Sequence, residues 1–168
     1  REGDAANLDL SRTVGWFTSA YPVRLSGGDL PLDRSIQAVA SALRAVPGKG
    51  IGFGVLRYLH PDAQVRTSLA SVHPRITFNY LGQFDQAFSE GASFVPAGEA
   101  NGSERDDEGP LSNWIEIIGQ VYDGQLSMRW LYSAQMFESS TLERLANAFK
   151  LELELIVHHC ATMVAIPS

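Results

Sequence analysis

The chain has 168 residues, 45% hydrophobic and 19% charged, which is the make-up of one ordinary soluble domain with enough length to bury a core. Thirteen basic against nineteen acidic side chains give a formal charge of −6 with no basic cluster, which argues against nucleic acid as a partner, since a phosphate backbone needs concentrated Lys and Arg. No apolar run approaches the ~20 residues that span a bilayer and the first residues hold no signal-peptide core, while a single cysteine, Cys160, excludes an internal disulfide and suits a reducing cytoplasm.

Leu8 to Leu25 is rich in Val, Phe, Thr and Tyr, so it reads as a strand region with Pro22 at an edge or end. Gly27-Gly28-Asp29 breaks it. From Asp33 to Val46 the apolar residues Ile36, Val39, Ala40, Leu43 and Val46 recur at spacings of three and four. That is one buried stripe of a helix, stopped by Pro47-Gly48. Gly50, Gly52 and Gly54 by themselves argue against helix in the residues that follow. Arg75 to Phe84, dense in β-branched and aromatic residues, is the next predicted strand. Asp85 to Pro110 is polar and lacks periodicity, and a connection of that length is expected to be functional or disordered.

Trp114–Tyr122 and Gln125–Tyr132 flank Asp123-Gly124, a two-residue signal for a tight hairpin turn. In the first arm Trp114, Glu116, Ile118, Gln120 and Tyr122 share one face, and Ile115, Ile117, Gly119 and Val121 the other. The second face is uniformly apolar or small, so it is assigned to the core. Ser140 with Glu143 three residues on forms a capping-box signature. Leu142, Leu145, Phe149, Leu153, Ile156 and Cys160 then line one helical stripe. Together these elements make a mixed sheet packed against helices.

Several residues invite a chemical reading that their context does not support. The glycine-rich run Pro47–Gly54 lacks the Gly-Lys-Ser/Thr ending of a phosphate-binding loop. His158 and His159 are adjacent on a helix and point about 100° apart, whereas a metal pair needs i, i+3 or i, i+4 spacing. A favourable interaction with the helix dipole is the plainer reading. His60 and His73 are isolated and assigned to turns or solvent. Cys160 lies on the helical stripe, where a buried thiol is inert, and Glu104–Glu108 reads as a solvated loop.

Three blocks in fixed order carry a more specific signal: Arg12-Thr-Val-Gly-Trp-Phe-Thr18 running into Tyr21-Pro22, Pro47-Gly-Lys-Gly-Ile-Gly-Phe-Gly54, and Phe78-Asn-Tyr-Leu-Gly-Gln-Phe84. With their intervals they resemble the last three signature motifs of the epimerization domains of non-ribosomal peptide synthetases, relatives of the condensation domains. The resemblance runs from about Arg12 to about Cys160. It implies an α/β fold, a chloramphenicol-acetyltransferase-like lobe with a mixed β-sheet packed against α-helices in two layers. It also implies that residues 1–168 are the second, carboxy-terminal lobe. The family's His-His-x-x-x-Asp-Gly motif belongs to the first lobe and has no counterpart here. Arg1-Glu2 resembles the end of the family's Glu-Gly-His-Gly-Arg-Glu motif. The resemblance further implies a short helix over Val55–Leu59, glycines allowing a close turn before it, and a crossover to the first lobe within Asp85–Pro110.

The function so implied is interconversion of L- and D-aminoacyl or peptidyl thioesters. A peptidyl carrier protein would present the thioester on its phosphopantetheine arm, in a tunnel between this lobe and the N-terminal lobe of the same domain. A base would remove the α-proton and an acid return it from the opposite face. By resemblance these are a glutamate preceding Arg1 and the second histidine of the first-lobe motif. This lobe would supply a tunnel wall, part of the carrier-docking surface and the pair Asn79 and Tyr80. No cofactor or metal of its own is implied, and the expected location is the cytoplasm. Removing the α-proton puts negative charge on the thioester oxygen, where a preorganised donor is worth ~3 kcal/mol. An amide or a phenol can donate, and a phenol can also relay a proton.

Neighbours on a regular strand point to opposite faces. Asn79 and Tyr80 therefore both face the tunnel only if a bulge or strand end intervenes, which Gly82 makes plausible. Trp16 marks epimerization over condensation, with packing its expected side-chain role, and Tyr21-Pro22 shapes a strand end. Phe53 stands where the family commonly has Tyr, so no hydroxyl contact carries over there. Two alternatives remain: the second lobe of a peptide-bond-forming condensation domain, and a non-catalytic module that docks carrier or tailoring proteins.

Overall fold

A computed structural model describes residues 12–15, 17–26, 28–84, 102, 106, 109, 111 and 113–164. The chain divides into two compact units, residues 1–73 and 74–168.

The regular elements described in the first unit are helices. Helix α1, Leu32–Arg44, forms where the spacing predicts, with Asp33 in its first turn and Arg44 in its last, each complementing the helix dipole. Its stripe is not buried as expected, since Ile36, Val39 and Ala40 are half-buried and Leu43 is exposed. The Ser35 hydroxyl donates to the Leu30 carbonyl at 3.1 Å and ties the entry. A 3-10 turn, Pro47–Gly50, follows. Helix α2 spans Ile51–Leu59, longer than expected and with Gly52 and Gly54 inside it, so the turn geometry overrides two weak helix formers. Helix α3, Ala63–Ala70, is capped by Asp62, whose carboxylate accepts from the Gln64 N–H at 2.7 Å. Its eight residues are too few to display an apolar period, so the cap was its one local signal.

The strand expected over Leu8–Leu25 is not formed by the described residues of that segment, which take no regular secondary structure. Strand preference is a preference for a half-buried pleated surface. The described elements of this unit are helices and offer no ladder to join.

The second unit holds strands β1 (Ile76–Gln83), β2 (Ile115–Tyr122) and β3 (Gln125–Tyr132), followed by helix α4, Ser139–Val164. The sheet order is β1-β2-β3, parallel between β1 and β2 and antiparallel between β2 and β3. Asp123 and Gly124 form the hairpin turn with φ of 51° and 65°, the double positive φ that suits right-twisted strands. Ile115, Ile117 and Leu142 are the buried apolar residues among those described, at 7%, 6% and 4% exposure. Met128, Trp130, Tyr132 and Phe137 pack against them. Helix α4 lies on this face, with the Phe149 ring edge-on to Trp130 at 5.7 Å and the Tyr132 hydroxyl donating to the Ser139 hydroxyl at 3.0 Å. Sheet plus helix is the two-layer mixed α/β arrangement expected.

Two details of α4 differ from the sequence reading. The Thr141 N–H donates to the Glu138 carbonyl at 2.9 Å and the helix begins at Ser139, so Ser140 is a first-turn residue and not the cap. Leu145 and Cys160 are exposed. The seam instead runs from buried Leu142 through the half-buried Ala146, Phe149, Leu153, Ile156 and His159. Successive helical residues point about 100° apart, and it is His159 that continues the seam, so Cys160 turns to solvent. Leu142→Ala is expected to lower the stability of this unit by ~2–5 kcal/mol, read as an earlier urea midpoint at unchanged slope.

Candidate functional site

The site residues stand on β1, and its register with β2 decides where they point. In-register residues of parallel neighbours share a face. Ile76, Phe78 and Tyr80 pair with Ile115, Ile117 and Gly119, so this row lies on the core face. Thr77 and Asn79 pair with Glu116 and Ile118 and lie on the other. The pairing shifts only between Tyr80 and Gln83, where Gly82 has φ 101°. The irregularity comes one residue too late to bring the two together: Asn79 and Tyr80 face opposite sides of the sheet.

Their surroundings differ accordingly. Tyr80 is 49% exposed, and its ring lies over Gly119, where an added Cβ would come within 3.3 Å of Tyr80 Cδ2. Asn79 is half-buried on a more polar row. Beside it the Asn113 side-chain amide donates to the Thr77 hydroxyl, and Glu116 stands across from Thr77. The Ile115 N–H donates to the Arg75 carbonyl at 3.2 Å, and the Arg75 guanidinium sits 4.3 Å above the Trp114 ring. These contacts lock the start of β1 to the start of β2. Asn113, Arg75 and Gly119 were not singled out by sequence reasoning as parts of the site. For Gly119 the signal was there: one glycine in an otherwise bulky inward row.

In the first unit the other two blocks meet. The Tyr21 ring packs on the Gly50 backbone so closely that a Cβ there would lie 1.8 Å from its Cδ1. Gly48, Lys49 and Gly50 all have positive φ, at 53°, 53° and 84°. Tyr21, Pro22, Ala42, Val46, Phe53 and Leu56 line a largely apolar cleft of about 460 Å³ beside this turn. Tyr21-Pro22 therefore acts through packing on a turn and not at a strand end.

The remaining candidates take structural places. His60 Nδ1 accepts from the Asp62 N–H at 3.1 Å and its carbonyl accepts from the Arg66 guanidinium, which fixes the turn into α3. His73 and His158 are exposed and His159 is half-buried. Among the described residues no three His, Cys, Asp or Glu side chains gather as a metal site. No described helix is long and apolar enough to cross a membrane. Trp16, most of Glu104–Glu108 and nearly all of the expected crossover lie outside the described residues.

A family model for the condensation domain matches residues 1–167, a span that includes all three blocks. The chain belongs to the condensation domain family. A linear gramicidin synthase protein of Brevibacillus parabrevis is 41% identical over 162 residues, covering 95% of this chain and 2% of that protein. Bacitracin synthase 3 of Bacillus licheniformis is 39% identical over 165 residues, covering 96% of this chain and 2% of that protein. Among solved structures, the epimerization domain from the third module of tyrocidine synthetase B matches with a TM-score of 0.78 and 34% identity. That match covers 92% of this chain and 34% of the other. This condensation-family chain thus spans about a third of a solved epimerization domain and a few per cent of the synthases it resembles.

Proposed function

We propose that this chain is the carboxy-terminal lobe of an epimerization domain in a cytoplasmic non-ribosomal peptide synthetase, inverting the α-carbon of an aminoacyl or peptidyl thioester. The observation that carries this reading is the match of 92% of the chain to a solved epimerization domain at 34% identity, together with the Phe78–Phe84 block. A carrier protein brings the substrate on its phosphopantetheine arm, and this lobe forms one wall of the tunnel and part of the docking surface. The proton-moving acid and base belong to the other lobe.

Within this lobe Tyr80 is the group assigned to the developing charge. Loss of the α-proton shifts negative charge onto the thioester oxygen, and a phenol held at that point before reaction stabilises it without reorganisation. A half-exposed ring seated on a neighbouring strand suits that role. Asn79 lies on the opposite face, across from Ile118, and is assigned no part in the charge stabilisation. A second reading, the same lobe in a peptide-bond-forming condensation domain, draws on the name of the matching family.

The test uses a carrier loaded with an L-aminoacyl thioester. The complete domain is expected to yield the D-isomer, and the isolated chain none above the uncatalysed background. Turnover by the isolated chain at the complete domain's rate would refute the two-lobe account. Peptide-bond formation without inversion would favour the second reading.

A further inference from the structure

We infer that Gly119 is a positioning residue that seats the Tyr80 ring, an inference that rests on the proposed role of Tyr80. Gly119 stands across from Tyr80 on β2 and across from Met128 on β3, and it is buried. A Cβ at this position would lie 3.3 Å from Tyr80 Cδ2, 2.6 Å from Met128 Sδ and 3.1 Å from Met128 Cε. The missing side chain is thus the slot into which ring and thioether settle from either side.

The glycine is not there for its backbone. Gly119 is absent from the positive-φ glycines, so alanine fits its conformation, and an interior glycine weakens a strand. What requires glycine is close approach. The end of a methionine is flexible and can move aside. The aromatic ring can only tilt or slide, and because it turns on few torsions, moving it moves the phenol oxygen.

Structural and positioning roles therefore predict different outcomes. If Gly119 matters only for packing, Gly119→Ala should change stability and activity together. If it positions Tyr80, kcat should fall while the melting temperature holds. A shift of a few tenths of an ångström at a reacting group corresponds to roughly a 3- to 10-fold loss, against ~100-fold for a full ångström.

The experiment measures kcat for inversion of a carrier-bound aminoacyl thioester, with the melting temperature, in the complete domain carrying G119A, Y80F and both. The expected result is a 3- to 10-fold fall in kcat for G119A and no further fall when it is added to Y80F. Should G119A fail to fold, G119A/M128A against M128A makes the same comparison with the thioether withdrawn. An equal loss from G119A with and without the Tyr80 hydroxyl, or full activity of G119A beside a defective Y80F, overturns the positioning role alone. An unimpaired Y80F overturns the role of Tyr80 itself, and the inference with it.

Discussion

Tyr80→Phe in the complete domain is expected to lower kcat for inversion by ~100- to 1,000-fold, the usual effect of removing one preorganised donor to a developing oxyanion, with little change in KM. The substitution deletes one oxygen and keeps the ring that covers Gly119, so folding should be unaffected. Asn79→Ala supplies the contrast. Because β1 is regular from Ile76 to Tyr80, the two side chains cannot reach one groove on one face. The Asn79 variant should therefore lose less than ~10-fold, because its amide lies on the face away from the developing charge. Steady-state rates for both variants decide the matter. If Asn79→Ala is the crippled variant and Tyr80→Phe is active, the site lies on the polar face and the two roles are reversed.

The second large effect is expected at Gly50, and on stability. Two independent penalties meet there. A φ of 84° is hostile to any residue with a Cβ, at ~1–3 kcal/mol. The new carbon would also overlap the Tyr21 ring, at 1.8 Å from Cδ1 and 2.3 Å from Cγ and Cε1, and forcing such contacts apart adds ~1–3 kcal/mol. Gly50→Ala should therefore lose ~2–6 kcal/mol, a large part of the ~5–15 kcal/mol that holds a typical domain together. Gly52 is the internal control. It lies within α2, a Cβ there would meet nothing within 4 Å, and Gly52→Ala should gain up to ~1 kcal/mol from helix propensity alone. Thermal melts of the two alanine variants should move in opposite directions. Equal melting temperatures would mean that the Tyr21–Gly50 contact does not hold the turn.

Gly50 also bears on the meaning of the glycine-rich block. Its spacing invites comparison with a phosphate loop, yet the requirement at Gly50 is an aromatic ring from another block and a left-handed turn. Gly52 and Gly54 have open space where a side chain would be. Three glycines of similar appearance in the sequence thus have at least two different reasons for being there.

The sequence by itself determined the elements whose signals are local. Asp123-Gly124 announced the hairpin, the three-and-four spacing announced α1 and most of the α4 seam, and alternation assigned Ile115 and Ile117 to the core, because each of these is written in neighbouring residues. The three blocks named the family for the same reason, as runs of adjacent letters. Tertiary structure alone decided what depends on distant partners: that no ladder receives Leu8–Leu25 among the described residues, that the α4 seam passes through His159 and leaves Cys160 exposed, and that Tyr21 rests on Gly50. It also decided that the bulge follows Tyr80, so that Tyr80 lies over Gly119 while Asn79 faces away. A strand's faces are fixed by its register with another strand, and no property of the strand's own residues specifies which side that partner will make the inside.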